Sequence, residues 1–277
     1  MAAQAQTGTY ILGDNTDERQ RPRTRQNAAL GAEAEDLFDA LPIEPGWRVV
    51  EIGCGPCGLL ETMSRRVGPN GRVIGLDASS AMVEEARAFV EEQGLTNVEV
   101  LHADGRSTGL PIEGFDLVHE RLVLINVAQP EEIVAEMARL ARPGGLVLLQ
   151  EVDHVSWQCE PPHDAWTQLL RTFHAVARDN GADPLIGRRT PGMLRRAGLL
   201  GVDVRVHVQS WHHTHPWRFL LIEFANLVRA AAAARGHLAD EETAALQAGL
   251  RDHLSDPETL VIGALLFQAW GRKGTGV

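Results

Sequence analysis

The sequence predicts an α/β fold with a mainly parallel sheet covered by helices on both faces. Three observations predict it. Short β-favouring runs alternate with helix-patterned segments from Arg48 to Glu151. The runs are apolar almost end to end, as strands buried on both faces are. The connections are short, which suits parallel strands joined by crossover helices.

The elements follow in order. Arg23 to Leu41 has a helical pattern in which Ala28, Leu30, Ala34, Leu37 and Phe38 share a face, and Pro42 to Gly46 ends it. Arg48–Ile52 is the first strand. Leu59–Val67 is a helix, closed by Gly68-Pro69-Asn70-Gly71. Arg72–Leu76 is the second strand. Ser79–Gln93 is a helix with Met82, Ala86, Phe89 and Val90 inward and Gly94 as its cap. Val98–Leu101 and Phe115–His119 are the third and fourth strands. Pro130–Ala141 is a helix, and the turn Arg142-Pro-Gly-Gly145 leads into a fifth strand, Leu146–Glu151.

Beyond Glu151 the rhythm changes. Pro161–Asn180 is helical, with Trp166, Leu169, Leu170, Phe173 and Val176 on one stripe. Thr190–Ala197 is a short helix and Val202–Val208 alternates like a strand. His215–Arg235 and Asp240–His253 are helices, and Leu260–Trp270 is β-like. The chain therefore divides into an N-terminal helical segment (1–45), a core of alternating strands and helices (46–154), and helical insertions with the final strands (155–277).

Bulk properties remove several function classes. Of 277 residues, 26 are basic and 37 acidic, for a net charge of −11. Such a chain repels phosphate backbones, so a nucleic-acid partner is not expected. No apolar run of 18 residues exists, so no membrane span is expected. Met1 to Thr9 is polar and lacks an apolar signal core, which gives a cytoplasmic expectation. Three cysteines make no disulfide framework. A homodimer is compatible with all of this.

Glu51-x-Gly53-x-Gly55-x-x-Gly58 follows a strand and opens a helix. Glycines allow a tight turn and close approach of backbone to a ligand. Dinucleotide enzymes share the glycine spacing, so the discriminating residue is Glu51. A carboxylate there sits badly beside a pyrophosphate and suits a cationic amine or sulfonium. A second acid, Asp77, ends the second strand, where it can bind both hydroxyls of a ribose. A third, Asp104, lies in His102-Ala-Asp-Gly105 after the third strand, and Leu140-Ala-Arg-Pro-Gly-Gly145 precedes the fifth.

With these four markers in order, Arg48 to Asp153 resembles the class I S-adenosylmethionine-dependent methyltransferases of the small-molecule, natural-product type. The resemblance implies a Rossmann-like seven-stranded methyltransferase sheet with helical cap insertions. It implies S-adenosyl-L-methionine as cofactor, with Asp104 on the adenine amine. The implied cofactor residues are Tyr10, Glu51, Gly53, Gly55, Gly58, Asp77, Ala78, Met82, Ala103, Asp104, Gly105, Glu120 and Arg121. It further implies methyl transfer to O, N or C of a small-molecule acceptor, as in secondary metabolism. Two alternatives stay open: a protein of the same fold that catalyses another step such as cyclisation, and a macromolecular methyltransferase. Cys54-Gly-Pro-Cys57 also matches a thioredoxin-like redox motif, in which a helix N-terminus lowers a thiol pKa. The other reading is small residues in a cofactor loop.

The acceptor side is less legible. The Asn/Asp-Pro-Pro-aromatic tetrad of adenine methyltransferases is absent, and its place reads Val118-His-Glu-Arg-Leu122. Glu120 and Arg121 either close the site, with Glu120 a catalytic candidate, or form an internal ion pair. His119 is structural. His154, past the fifth strand, is a candidate general base or acceptor ligand, and a structural role is the alternative. Trp157, Trp166, Trp211 and Phe224 suggest an apolar lid over an acceptor pocket, or else a core for the inserted helices. His212-His-Thr-His215 is read as exposed loop histidines, with no metal expected. Tyr10 either covers the cofactor or belongs to a loose tail.

Overall fold

The structure is a computed structural model and describes residues 30–275. Helix α1 occupies 30–40 of these, and the earlier part of the predicted N-terminal helix lies outside them. Five strands, β1 (Arg48–Ile52), β2 (Arg72–Asp77), β3 (Val98–His102), β4 (Phe115–Arg121) and β5 (Ala141–Asp153), pair in parallel in the order β3-β2-β1-β4-β5. Between them lie α2 (Leu60–Val67), α3 (Ser80–Glu92) and α4 (Pro130–Leu140).

The sheet has eight strands where seven are expected. β8 (Leu260–Lys273) runs antiparallel to β5 from Asp153↔Leu265 to Leu146↔Arg272. Past that point the same edge of β8 takes β6 (Gln158–Glu160), from Gln158↔Ile262 to Glu160↔Leu260. β7 (Leu199–Trp211) covers the other edge of β8. The extra strand is thus the line of β5 resumed after a tight turn at His154–Ser156, where Ser156 Oγ donates to the Gly263 carbonyl at 2.7 Å.

Each face of the sheet has its own core. On one, α1, α2 and α3 pack Leu37, Phe38, Leu60, Met63 and Val83 against Val49, Val73 and Leu148. On the other, α4 and α6 (Thr190–Arg196) pack Ile133, Met137 and Leu194 against Val50, Val118 and Val147. Each such side chain stabilises the fold by about 1.5–3 kcal/mol. The inward stripe of α3 is Val83 and Ala86, not the predicted Met82 and Phe89, which are half-buried. A third core joins α5 (Asp164–Asp179), α7 (Leu220–Ala234) and α8 (Asp240–Ser255) in a cap.

Candidate functional site

β1 ends at Ile52, and the chain turns through Gly53, Gly55 and Gly58 at φ of 67°, 54° and 45°. L side chains rarely adopt this region. A Cβ on Gly53 would run into Val123 Cγ2, and one on Gly58 would lie 2.5 Å from Glu51 Oε2. At Gly55 a Cβ would meet nothing within 4 Å. The loop is therefore packed on the protein side at its ends and open at its middle, a cradle into which a ligand can approach the backbone.

Glu51 is buried, and both its oxygens accept the Leu59 N–H at the start of α2, at 3.0 and 2.9 Å. A carboxylate under a helix N-terminus is favoured by the unpaired amides and the helix dipole. Its Oε1 lies 3.5 Å from Nδ1 of His119. Gln150 Nε2 lies 2.9 Å from His119 Nε2, and Gln268 donates to Gln150 Oε1 at 2.9 Å and to the Glu33 carbonyl of α1 at 3.0 Å. If Gln150 donates, His119 carries its proton on Nδ1, toward Glu51. Burial pushes the His119 pKa down, so the ring is neutral. The predicted structural role of His119 is to brace this line, which runs from the glycine loop across β4, β5 and β8.

The ends of β2 and β3 bring the other acids beside the loop. Asp77 accepts the Gly55 N–H through Oδ2 and the Ser79 N–H through Oδ1, both at 2.9 Å. Burial pushes its pKa above the usual carboxylate range. Ala103 N–H donates to the Asp77 carbonyl at 3.0 Å. Asp104 is held by Arg106, whose Nη2 lies 2.6 Å from Oδ2, and this guanidinium lowers its pKa. The Asp104 side chain stays 44% exposed. Ala78 is exposed, while Met82, Ala103 and Gly105 are half-buried at the same edge.

Glu120 and Arg121 do not pair. Consecutive strand residues point to opposite faces. Arg121 lies on the Glu51 face, buried, and its pKa is lowered by that burial. Glu120 lies on the other face against Glu151, and neither has exposed surface. Glu120 Oε2 accepts the Val123 N–H at 3.2 Å, and Glu151 Oε1 accepts the N–H groups of Leu124 at 2.5 Å and Ile125 at 3.3 Å. Burial and the Glu151 charge push the Glu120 pKa well up, and burial brings Glu151 to about 7. Two carboxyl groups this close share one proton. Their amide partners belong to the loop after β4, where Leu122 sits at φ 58° and Val123 packs on Gly53. Glu120, expected as catalytic, is in this structure an anchor of that loop, because its carboxyl does not reach open space. Sequence reasoning missed Glu151 as its partner.

His154 is buried in the turn between β5 and β6, with Nδ1 3.1 Å from Nε2 of His174 on α5. Burial pushes the His154 pKa to about 3 and that of His174 to about 4. Both rings are neutral at pH 7. They sit among Trp157 at 4.9 Å and Phe173 at 5.9 Å from His154, with Phe224 stacked on Phe173 at 5.0 Å. Asp153 is paired instead with Arg188, at 2.7 Å from its Nη2. His174 was missed; its only sequence signal was its place on the aromatic stripe of α5.

The four predicted pocket aromatics do not form one wall. Trp166 and Trp211 are buried inside the cap, Trp166 donating to the Trp157 carbonyl at 3.1 Å and Trp211 packing on Trp217 at 5.6 Å. They are core because α5, α7 and α8 need an apolar centre of their own. Trp157 is buried too, but its ring borders His154, and only Phe224 is half-buried. His212 and His213 are exposed, while His215 is half-buried and stacks on Trp211 at 5.9 Å. Cys54 and Cys57 are buried and form no disulfide. Burial, with Glu51 and Asp77 nearby, pushes the Cys54 pKa well up rather than down, against the redox expectation. Tyr10 lies outside the described residues. No helix among the described residues is long and apolar enough to cross a membrane.

Comparison with known proteins agrees with this geometry. A family model for methyltransferase domains matches residues 49–145. A demethylmenaquinone methyltransferase from Geobacillus kaustophilus is 31% identical, over 42% of this chain and 50% of the relative. A nocamycin O-methyltransferase from Saccharothrix syringae is 33% identical, over 41% of each chain. The chain spans about half the length of the curated relatives it matches. Among solved structures, a Bacillus halodurans protein assigned as a methyltransferase aligns with TM-score 0.60 at 16% identity, over 88% of this chain and all of the other. Phosphoethanolamine N-methyltransferase 2 of Haemonchus contortus, solved with S-adenosylhomocysteine, aligns with TM-score 0.53 at 14% identity, over 96% of this chain and 56% of that one. These neighbours share the fold. Residues 49–145 of this chain are a methyltransferase domain of the class I S-adenosylmethionine-dependent family.

Proposed function

We propose that the chain transfers a methyl group from S-adenosylmethionine to a small-molecule acceptor under its helical cap. The observation that carries the proposal is the glycine cradle, open at Gly55 and flanked by the carboxylates of Asp77 and Asp104. An open, acid-flanked loop fits a ligand that ends in ribose hydroxyls, an adenine amine and a cationic amino acid. Asp77 would hold the ribose, and Asp104 with Ala103 and Gly105 the adenine. Glu51 acts from below by fixing the loop and the α2 terminus.

The cofactor supplies a methyl already activated on a sulfonium, so the protein's task is positioning and exclusion of water. On the acceptor side, the neutral His154–His174 pair and the rings of Trp157, Phe173 and Phe224 favour an uncharged, partly apolar acceptor. A neutral imidazole can accept a proton from an acceptor hydroxyl. The two curated relatives are named for small-molecule acceptors, one of them for O-methylation, which supports this class and a role in secondary metabolism.

The test is direct. The purified chain is incubated with S-adenosylmethionine and a panel of phenols, quinols, amines and carboxylates. Mass spectrometry follows S-adenosylhomocysteine and a product heavier by one methylene. Phenols or quinols should be methylated. Cofactor binding with no methylated product from any acceptor, but with acceptor rearrangement, would favour the cyclase-like alternative.

A further inference from the structure

β7 is an edge strand: its one strand partner among the described residues is β8. It is 13 residues long, and from Asp203 to Val208 it runs regularly, between shifts in register at Leu200/Asp203 and Val208/Ser210. Val206 and Val208 are 47% and 55% exposed there. They continue onto half-buried Phe267 and Leu265 of β8, their register partners. A long edge carrying exposed valines is a template for another strand unless something occupies or blocks it.

We propose that this edge pairs with the same strand of a second copy, antiparallel, about a two-fold axis at Val204. The Val204 N–H is taken up by the Asp203 side chain at 2.8 Å, so it points to the open edge and not to β8. The even-numbered residues therefore present their backbone groups outward. A two-fold at Val204 lets Val204 N–H exchange the Asp203 carboxylate for the carbonyl of the partner's Val204, which releases Asp203 to turn to the partner, and sets Val206 opposite the partner's Val202.

Charge selects this register from its neighbours. Asp203 and Arg205 are both exposed and share one face of the strand. With the axis at Val204, Asp203 stands opposite the partner's Arg205, and the pair occurs twice. An axis at Arg205 would set two guanidinium groups face to face. One at Val206 would set Arg205 against the partner's His207. Opposite charges across a strand pair stabilise it and like charges oppose it, so the same two residues favour the Val204 axis, which pairs them twice, over the Arg205 axis, which sets like charges together, and the Val206 axis, which gives neither an opposite charge. Arg205 leans over Trp270 of β8, 5.8 Å from the ring centre, on the face where the pair would form. Edge pairing gives affinity through the main chain, and a two-fold interface closes on itself, so the assembly stops at two.

The experiment uses the full chain in low salt. Sedimentation velocity should show a dimer in the tens of micromolar range. Asp203→Arg alone and Arg205→Asp alone should each weaken it by roughly tenfold or more, and the double swap should restore it. Hydrogen exchange at the Val206 amide should be slow in the wild-type dimer and fast in each single variant. Circular dichroism checks folding, since both side chains lie outside the site. A monomeric wild type would overturn the proposal. So would dimers that survive both single changes, or a double swap that stays monomeric.

Discussion

The carboxyl groups of Glu120 on β4 and Glu151 on β5 face each other with no exposed surface, and together they hold the amides of Val123, Leu124 and Ile125. That pair fixes the loop that packs on Gly53, so it couples a proton to the shape of the glycine cradle.

The pair predicts a pH dependence of stability. Both pKa values are raised in the folded state, Glu151 from 4.5 to about 7. The stabilisation from holding the proton is complete below about pH 4.5 and is lost as pH rises through 7. Glu151→Gln mimics the protonated partner and removes the Glu151 share of this dependence, leaving the share that burial of Glu120 contributes. Melting temperature from pH 5 to 8 should therefore fall more in wild type than in the variant. The difference is on the order of 2 kcal/mol, or roughly 5 °C. Parallel curves would count against a shared proton.

The His154–His174 pair predicts the opposite sign. Both pKa values are lowered, to about 3 and about 4, so the neutral rings favour folding above pH 6.5 and that contribution is lost as pH falls. His154→Gln should lower turnover by roughly 10- to 100-fold. S-adenosylhomocysteine affinity should stay within about twofold, because His154 follows β5, two strands from the β1 end that carries the glycine loop. An equal loss of affinity would move His154 out of the acceptor side.

The Glu51–Gly58 contact predicts a stability defect without a chemical one. Gly58→Ala adds a methyl 2.5 Å from Glu51 Oε2 at a φ of 45°. Strain of this kind costs about 1–3 kcal/mol. Chemical denaturation should show that loss, and Glu51→Gln should show a smaller one, since an amide oxygen still accepts from Leu59. An unchanged midpoint for Gly58→Ala would contradict the packing described.

The strands of the parallel half were legible because buried parallel strands are apolar runs bounded by glycines and charges. β1 is a case in point, reading Arg48–Ile52 in both sequence and structure. β4 extends two residues further than its apolar run, because Glu120 and Arg121 find partners only after folding. β6 was invisible: Gln-Cys-Glu has no pattern of its own and becomes a strand because β8 is longer than β5. The places of Asp77 and Asp104 at and just past the ends of β2 and β3 were legible because strand ends are fixed points of this fold. The acceptor side was not, since an aromatic count does not separate a half-buried ring such as Phe224 from a buried one such as Trp166. His174 and Glu151 were missed for one reason: each matters through a partner more than 19 residues away, His154 at 20 and Glu120 at 31.

The central claim is that the glycine cradle with Asp77 holds S-adenosylmethionine. Calorimetric titration of S-adenosylhomocysteine into wild type and Asp77→Ala tests it most directly. Micromolar binding in wild type, weakened by roughly tenfold or more in the variant, is the predicted result. No binding in wild type, or equal binding in a folded variant, would contradict it.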